Sequence, residues 1–108
     1  MELHFHAHHA DVSDHMRKRA EREVRRVALR LPRVVEAIVR FEEDGGIRRV
    51  SLTLRAPNHH DLVASAEHRF YGPALGLALS RVRKQAGRER QALPKGRARA
   101  VSRARSRA

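Results

Sequence analysis

The stretch from residue 34 to residue 56, VVEAIVRFEEDGGIRRVSLTLRA, decides the fold. Apolar and polar residues alternate on both sides of Asp44-Gly45-Gly46, and this period is typical of a strand with one buried face. The three central residues have the chemistry of a tight turn. The stretch therefore predicts a β-hairpin. The residues expected to point into the core are Val35, Ala37, Val39 and Phe41 before the turn, and Val50, Leu52 and Leu54 after it.

The segment before the hairpin predicts one strand and one helix. Residues 2–7 alternate in polarity, which indicates a half-buried strand. Ser13 suits the N-cap of a helix, and apolar residues then recur at helical spacing until Pro32, which cannot continue a helix. The residues expected to face the core are Leu3, Phe5 and Ala7 of the strand and Met16, Ala20, Val24, Val27, Ala28 and Leu31 of the helix.

The segment after the hairpin predicts a turn over 57–61, a short strand over 62–67 and a second helix that begins near Pro73. The predicted order β-α-β-β-β-α is an α+β fold, a two-layer sandwich with both helices packed on one face of a four-stranded sheet. The double-stranded-RNA-binding domain has a related topology. Residues 1–92 form the predicted domain, and residues 93–108 a disordered basic tail. The inward residues are Leu62, Ala64 and Ala66 of the strand and Leu75, Ala78, Leu79, Val82 and Ala86 of the helix.

The charge balance indicates the class of partner. Lysine and arginine number 24 against 12 acidic residues, which gives a net charge of +12. Such an excess attracts polyanions, because each neutralised phosphate releases counterions, so nucleic acid is the expected partner. No cysteine is present, and no apolar run reaches the roughly 18 residues of a membrane span. We therefore expect a cytoplasmic protein with no membrane partner and no small-molecule substrate.

Several segments resemble the ribosome hibernation promoting factor family, whose members are also called ribosome-associated translation inhibitors or sigma-54 modulation proteins. The opening residues 1–17 are similar to the start of the family in length and apolar pattern. The run Val50-Ser-Leu-Thr-Leu-Arg-Ala-Pro and the run Leu62-Val-Ala-Ser-Ala-Glu resemble its third and fourth strands. Leu75-Gly-Leu-Ala-Leu followed by Arg81-Val-Arg-Lys-Gln resembles its second helix. Together the similarity covers roughly residues 1–90.

This resemblance implies a short-form stress factor that binds the small ribosomal subunit and its rRNA, blocks the channel for mRNA and tRNA, and inhibits translation. It also implies that a partner protein could pair the silenced ribosomes. The chain departs from the family where the second helix opens, since Phe70, Gly72 and Gly76 replace residues of a characteristic acidic and tyrosine pattern. The positions that match the basic rRNA-binding residues of the family are Arg17, Arg22, Arg26, Arg81, Lys84 and Arg88.

The sequence supports three other classes of function less well. The main alternative is a non-ribosomal interaction module that uses the same basic surface on RNA, DNA or an acidic protein. A metal-binding regulator would use His4, His6 and His8, which share one face of the first strand. An enzyme is not expected, because Ser13 and Ser65 lack a triad arrangement and the Asp44-Gly45-Gly46 run is a turn and not a phosphate loop. We predict no cofactor and no metal.

Overall fold

The structure is a computed structural model that describes residues 1–31, 33–58 and 60–92, with side chains as far as residue 88. The predicted basic tail over 93–108 lies outside the described residues. The element order is β-α-β-β-β-α, as predicted. The elements are β1 (Glu2–His8), α1 (Asp14–Leu29), β2 (Glu36–Asp44), β3 (Ile47–Arg55), β4 (Leu62–His68) and α2 (Tyr71–Ala92).

The four strands form one mixed sheet in the order β1-β2-β3-β4. Strand β1 is parallel to β2, and α1 makes the crossover between them, whereas β2, β3 and β4 are antiparallel neighbours. Strands β1, β2 and β4 run in one direction, and α1 follows β1 while α2 follows β4. Each helix turns back along the sheet, so both helices run antiparallel to these three strands. Both helices therefore begin at the same end of the sheet.

The core lies between the sheet and the two helices. Phe41 lies at the centre of the core and is 1% exposed. Its ring stacks on that of Phe5, with 6.3 Å between the ring centroids. The prediction that a side chain points into the core is wrong for two residues. Ala7 is exposed near the end of β1, and Val35 is 50% exposed because β2 begins only at Glu36 and Val34 packs on the core instead. The predicted core residues that are buried on the sheet are Ala37, Val39, Phe41, Val50, Leu52, Leu54, Ala64 and Ala66.

Helix α1 begins and ends as its sequence indicates. The Ser13 side chain accepts a hydrogen bond from the Met16 N–H at 3.1 Å, and Asp14 lies in the first turn, where a negative charge is favourable. The helix ends at Leu29 with Arg30 as its C-cap. Pro32, which was expected to end the helix, lies outside the described residues.

The hairpin turn also follows its prediction. Gly45 and Gly46 have φ angles of +59° and +85°, and Asp44 pairs directly with Ile47. Two consecutive residues of positive φ match the right-handed twist of the flanking strands, and glycine adopts this conformation without steric cost. The turn therefore fixes the β2–β3 register.

Helix α2 begins at Tyr71, two residues before the predicted start at Pro73. Proline is tolerated here because the first N–H groups of a helix have no partner within it. Packing explains the earlier start. Tyr71 is buried, its ring lies edge-on to Phe41 at 5.4 Å, and its hydroxyl donates to the Glu42 carbonyl oxygen at 3.4 Å.

The environment of Tyr71 predicts its behaviour in alkali. Burial raises the pKa of the phenol above its usual value of 10.0, with a smaller contribution from the negative charge of Glu43. A folded-state pKa above the unfolded one gives stability that is present below pH about 10 and is lost as pH rises through the folded pKa. Tyr71 is the one tyrosine of the chain, so ultraviolet absorbance of tyrosinate should report a late titration. Ionisation at the pKa of free tyrosine in the native protein would contradict this prediction.

Side chains of α2 cover the outer edge of β4. The Gln85 amide accepts from the Val63 N–H at 2.9 Å and donates to the Val63 carbonyl oxygen at 3.0 Å. One turn earlier, the Arg81 guanidinium donates to the Ser65 carbonyl oxygen. Backbone groups that would otherwise be unpaired at the sheet edge are thereby satisfied.

Candidate nucleic-acid interface

The positive charge of the chain is concentrated in two places. Helices α1 and α2 together contain eleven basic and four acidic residues, a net +7, and residues 93–108 contain six basic residues and no acid. The remainder contains seven basic and eight acidic residues, a net −1. Since both helices cover one face of the sheet, the folded domain has a basic helical face and a nearly neutral sheet face.

The acidic residues of α1 neutralise only part of its charge. The Arg19 Nε lies 2.8 Å from a Glu23 carboxylate oxygen, and the Arg25 Nε lies 3.2 Å from Glu21. These pairs follow the spacing of four residues at which side chains meet on a helix. Within the described part of the chain, the α1 cations that make no ion pair or hydrogen bond are Lys18, Arg22 and Arg26.

Helix α2 presents cations without acidic neighbours up to residue 88. Among the described residues, Arg83, Lys84 and Arg88 are exposed and make no ion pair or hydrogen bond. Arg81 is also exposed, but its guanidinium is bound to the Ser65 carbonyl oxygen. Arg81 therefore has a structural contact that the other three cations lack.

The two helices contact each other near their first turns. A Cβ on Gly72 of α2 would lie 2.9 Å from the Arg19 Nη1 of α1, so the Arg19 side chain approaches the α2 backbone closely here. The helical period of 3.6 residues places Arg83 on the same flank of α2 as Gly72, toward α1. Arg83 is not among the rRNA-binding positions that the family resemblance implies, and only the helix contact shows that its flank faces α1.

Arg17 is separated from this contact. It lies on the opposite flank of α1 from Arg19 by the helical period, and its nearest acid is Asp14, at 3.9 Å. The structure therefore places Arg22, Arg26, Arg83, Lys84 and Arg88 across one helical layer, with Arg81 at the β4 edge and Arg17 at the far margin. We call these five cations, Arg22, Arg26, Arg83, Lys84 and Arg88, the helical cation surface.

The outer face of the sheet differs in electrostatic character. Arg49 lies between Glu42 at 3.9 Å and Glu67 at 3.5 Å. Arg55 lies between Glu36 at 3.3 Å and Asp61 at 3.5 Å. Each of these arginines thus has two carboxylates nearby, so this face offers a phosphate chain little net attraction.

The histidine strand is not arranged as the metal-binding alternative requires. In the described residues, one group brings three ligand atoms within 4.8 Å, and it consists of Glu2, His4 and Glu36 without His6 or His8. His8 and His9 instead line an open cavity of about 1040 Å³ together with acidic residues of the hairpin. Neither place belongs to the helical face.

Residues 3–93 match the family described as "Sigma 54 modulation protein / S30EA ribosomal protein". The chain belongs to this family. No curated protein sequence matches the chain as a relative. The family resemblance found in the sequence is therefore confirmed, and with it the association of the S30EA family with ribosomes and with the modulation of translation.

Solved structures with the S30EA fold agree with this membership. A ribosomal subunit interface protein from Coxiella burnetii superposes with a TM-score of 0.77 at 15% identity, covering 84% of this chain and 99% of its own. The N-terminal domain of Protein Y from Thermus thermophilus gives 0.72 at 18% identity, covering 82% of this chain and 99% of its own. At these identities the likeness shows the fold alone.

Membership in the S30EA family narrows the functional classes. The family consists of ribosome-associated modulation factors, which is not an enzyme class. In the part of the chain that the structure describes, no helix has both the length and the apolar character to cross a membrane. The unpaired cations of the two helices are therefore the residues to consider for binding.

Proposed function

We propose that this S30EA protein binds rRNA of the small ribosomal subunit through the helical cation surface during stress or stationary phase. The body of the domain then occupies the channel through which mRNA and tRNA pass. Occupation of that channel stops translation and preserves idle ribosomes. Arg17 and Arg81, at the margins of the surface, complete the proposed contact with the phosphates.

The observation that carries the proposal is the difference between the paired and unpaired cations. The cations of the helical surface have no carboxylate or carbonyl partner among the described residues, whereas Arg49 and Arg55 on the sheet face have two each. A guanidinium that is already paired loses that pairing when it binds a phosphate. Unpaired arginines lose only hydration, and their planar group can form two parallel hydrogen bonds with a phosphate.

The shape of the surface fits structured RNA. Two neighbouring helices present cations over one layer of the domain, and A-form RNA is recognised mainly through its shape, its phosphates and its 2′-hydroxyl groups. Affinity should then be mostly electrostatic and should fall steeply with salt. The proposed partners are the small subunit and, for paired ribosomes, a second protein that joins two of them.

Sedimentation tests this proposal. Purified protein is centrifuged through sucrose gradients with small subunits, large subunits and intact ribosomes, at low and moderate salt. We expect the protein to travel with small subunits and intact ribosomes at moderate salt, to reduce protein synthesis in a cell-free system, and to compete with tRNA. The same gradients report whether ribosomes pair.

A generic polyanion binder would behave differently. Equal retention on large subunits or on free duplex RNA of equal charge would contradict the proposal and favour the non-ribosomal module. A version that ends at Leu93 separates the domain from the basic segment that follows. Retention that is lost with this segment alone would also contradict a site on the helices.

A further inference from the structure

An exposed aromatic pair lies where α2 begins. Phe70 is 60% exposed. Its ring lies 6.0 Å from that of His68, at an angle of 38° between planes. The other aromatic residues of this region, Phe41 and Tyr71, are buried in the core. Phe70 is therefore the aromatic side chain of this region that a ligand could reach.

The local backbone holds this pair in place. The Phe70 N–H donates to the His68 Nδ1 at 3.2 Å, which fixes the imidazole beside the phenyl ring. On the other side, the Arg48 guanidinium donates to the Arg69 carbonyl oxygen and lies 5.5 Å from the centre of the Tyr71 ring. Hydrogen bonds on both sides of Phe70 thus hold the segment between β4 and α2 in place, while the Phe70 side chain is exposed.

Two arginines lie near the exposed ring. Arg69 is exposed and adjacent to it in sequence. Arg19 of α1, whose Nε is paired with Glu23, has its Nη1 close to Gly72, two residues further along the chain. An aromatic face next to guanidinium groups is the combination with which proteins bind single-stranded nucleic acid, since the ring stacks on a base while the cations hold the adjacent phosphates.

We infer that Phe70, supported by His68, is a stacking site for an unpaired nucleobase of RNA. The inference rests on the proposed function for its ligand class and adds a contact with bases at the start of α2, apart from the helical cation surface. Base stacking tolerates every sequence, because each base has an aromatic face. Phe70 would therefore favour RNA with unstacked bases over uniform duplex, without selecting a sequence.

The test uses two substitutions of Phe70 in the full chain, which has no tryptophan of its own. Phe70→Trp keeps an aromatic face and supplies a single fluorescent reporter, whereas Phe70→Leu keeps apolar character and removes the aromatic face. The probes are a short single-stranded oligoadenylate and an inorganic polyphosphate of equal charge, both at low salt. We expect oligoadenylate to quench the tryptophan and Phe70→Leu to bind it about tenfold more weakly than the wild type. Polyphosphate should neither quench the reporter nor distinguish the two proteins.

Two results would overturn the inference. One is equal affinity of the wild type and Phe70→Leu for oligoadenylate, and the other is equal quenching by polyphosphate. Val63→Ala is the control for loss of an exposed apolar side chain, since Val63 is 53% exposed on the outer face of the sheet. Its affinity should be unchanged. Because oligoadenylate binding needs no ribosome, stacking without retention on small subunits would refute the proposed function alone, and retention without stacking would refute this inference alone.

Discussion

Small-subunit binding should weaken about a hundredfold when the unpaired cations of α2 are neutralised by Arg83→Gln, Lys84→Gln and Arg88→Gln. Each phosphate contact that is lost removes about 0.9 from the slope of log affinity against log salt. Three contacts should therefore reduce the slope by between about 2 and 3. Binding is measured by sedimentation or fluorescence titration over a range of salt concentrations. Arg81 is left intact because its contact with the Ser65 carbonyl oxygen is structural.

The sheet face supplies a control of equal charge. Arg40→Gln, Arg49→Gln and Arg55→Gln also remove three positive charges, and exposed ion pairs contribute little to stability. This variant should bind small subunits nearly as well as the wild type, because Arg49 and Arg55 are already paired with carboxylates. If both triple variants lose the same affinity, net charge and not the helical surface determines binding, and the proposed site is wrong.

The largest expected effect on stability is that of Phe41→Ala. Phe41 is 1% exposed and touches the rings of Phe5 and Tyr71. Removal of a buried phenyl ring costs about 3 to 5 kcal/mol, because contacts are lost and the cavity collapses only in part. In a domain of this size, that should lower the melting temperature by at least about 12 °C. Circular dichroism during heating measures the change.

Phe70→Ala is the matched control for the loss of a phenyl ring. Phe70 is mostly exposed, so its removal should change the free energy of unfolding by about 0.5 kcal/mol or less. A similar melting temperature for both variants would mean that Phe41 does not hold the core together. The pair also separates stability from binding, because the stacking inference assigns Phe70 a role only in the latter.

The fold could be predicted from the sequence because its local patterns agree with one another. The alternation around Asp44-Gly45-Gly46 requires a hairpin, and Ser13 marks the start of α1 by its own hydrogen bond. The start of α2 could not be predicted in the same way. Tyr71 begins this helix because it packs against Phe41, and that contact joins residues thirty positions apart in the sequence.

The site was less accessible to sequence reasoning. A helical pattern identifies exposed arginines, but it does not show which of them are neutralised. Glu21 pairs with Arg25 and Glu23 pairs with Arg19, and these contacts leave Arg22 and Arg26 unpaired. Arg83 could be selected only once the flank of α2 that faces α1 was known. The exposure of Phe70 likewise depends on where the helix begins.

The Gln85 amide bound to Val63 has a consequence for how the protein behaves at high concentration. An open strand edge invites a second chain to extend the sheet, which leads to aggregation. Gln85 occupies those backbone groups with a neutral side chain that phosphate does not attract. At Val63 the β4 edge is therefore closed by a group that does not depend on the neighbouring bond between Arg81 and Ser65. A basic protein at high concentration can in this way keep its cations exposed without also exposing a template for its own precipitation.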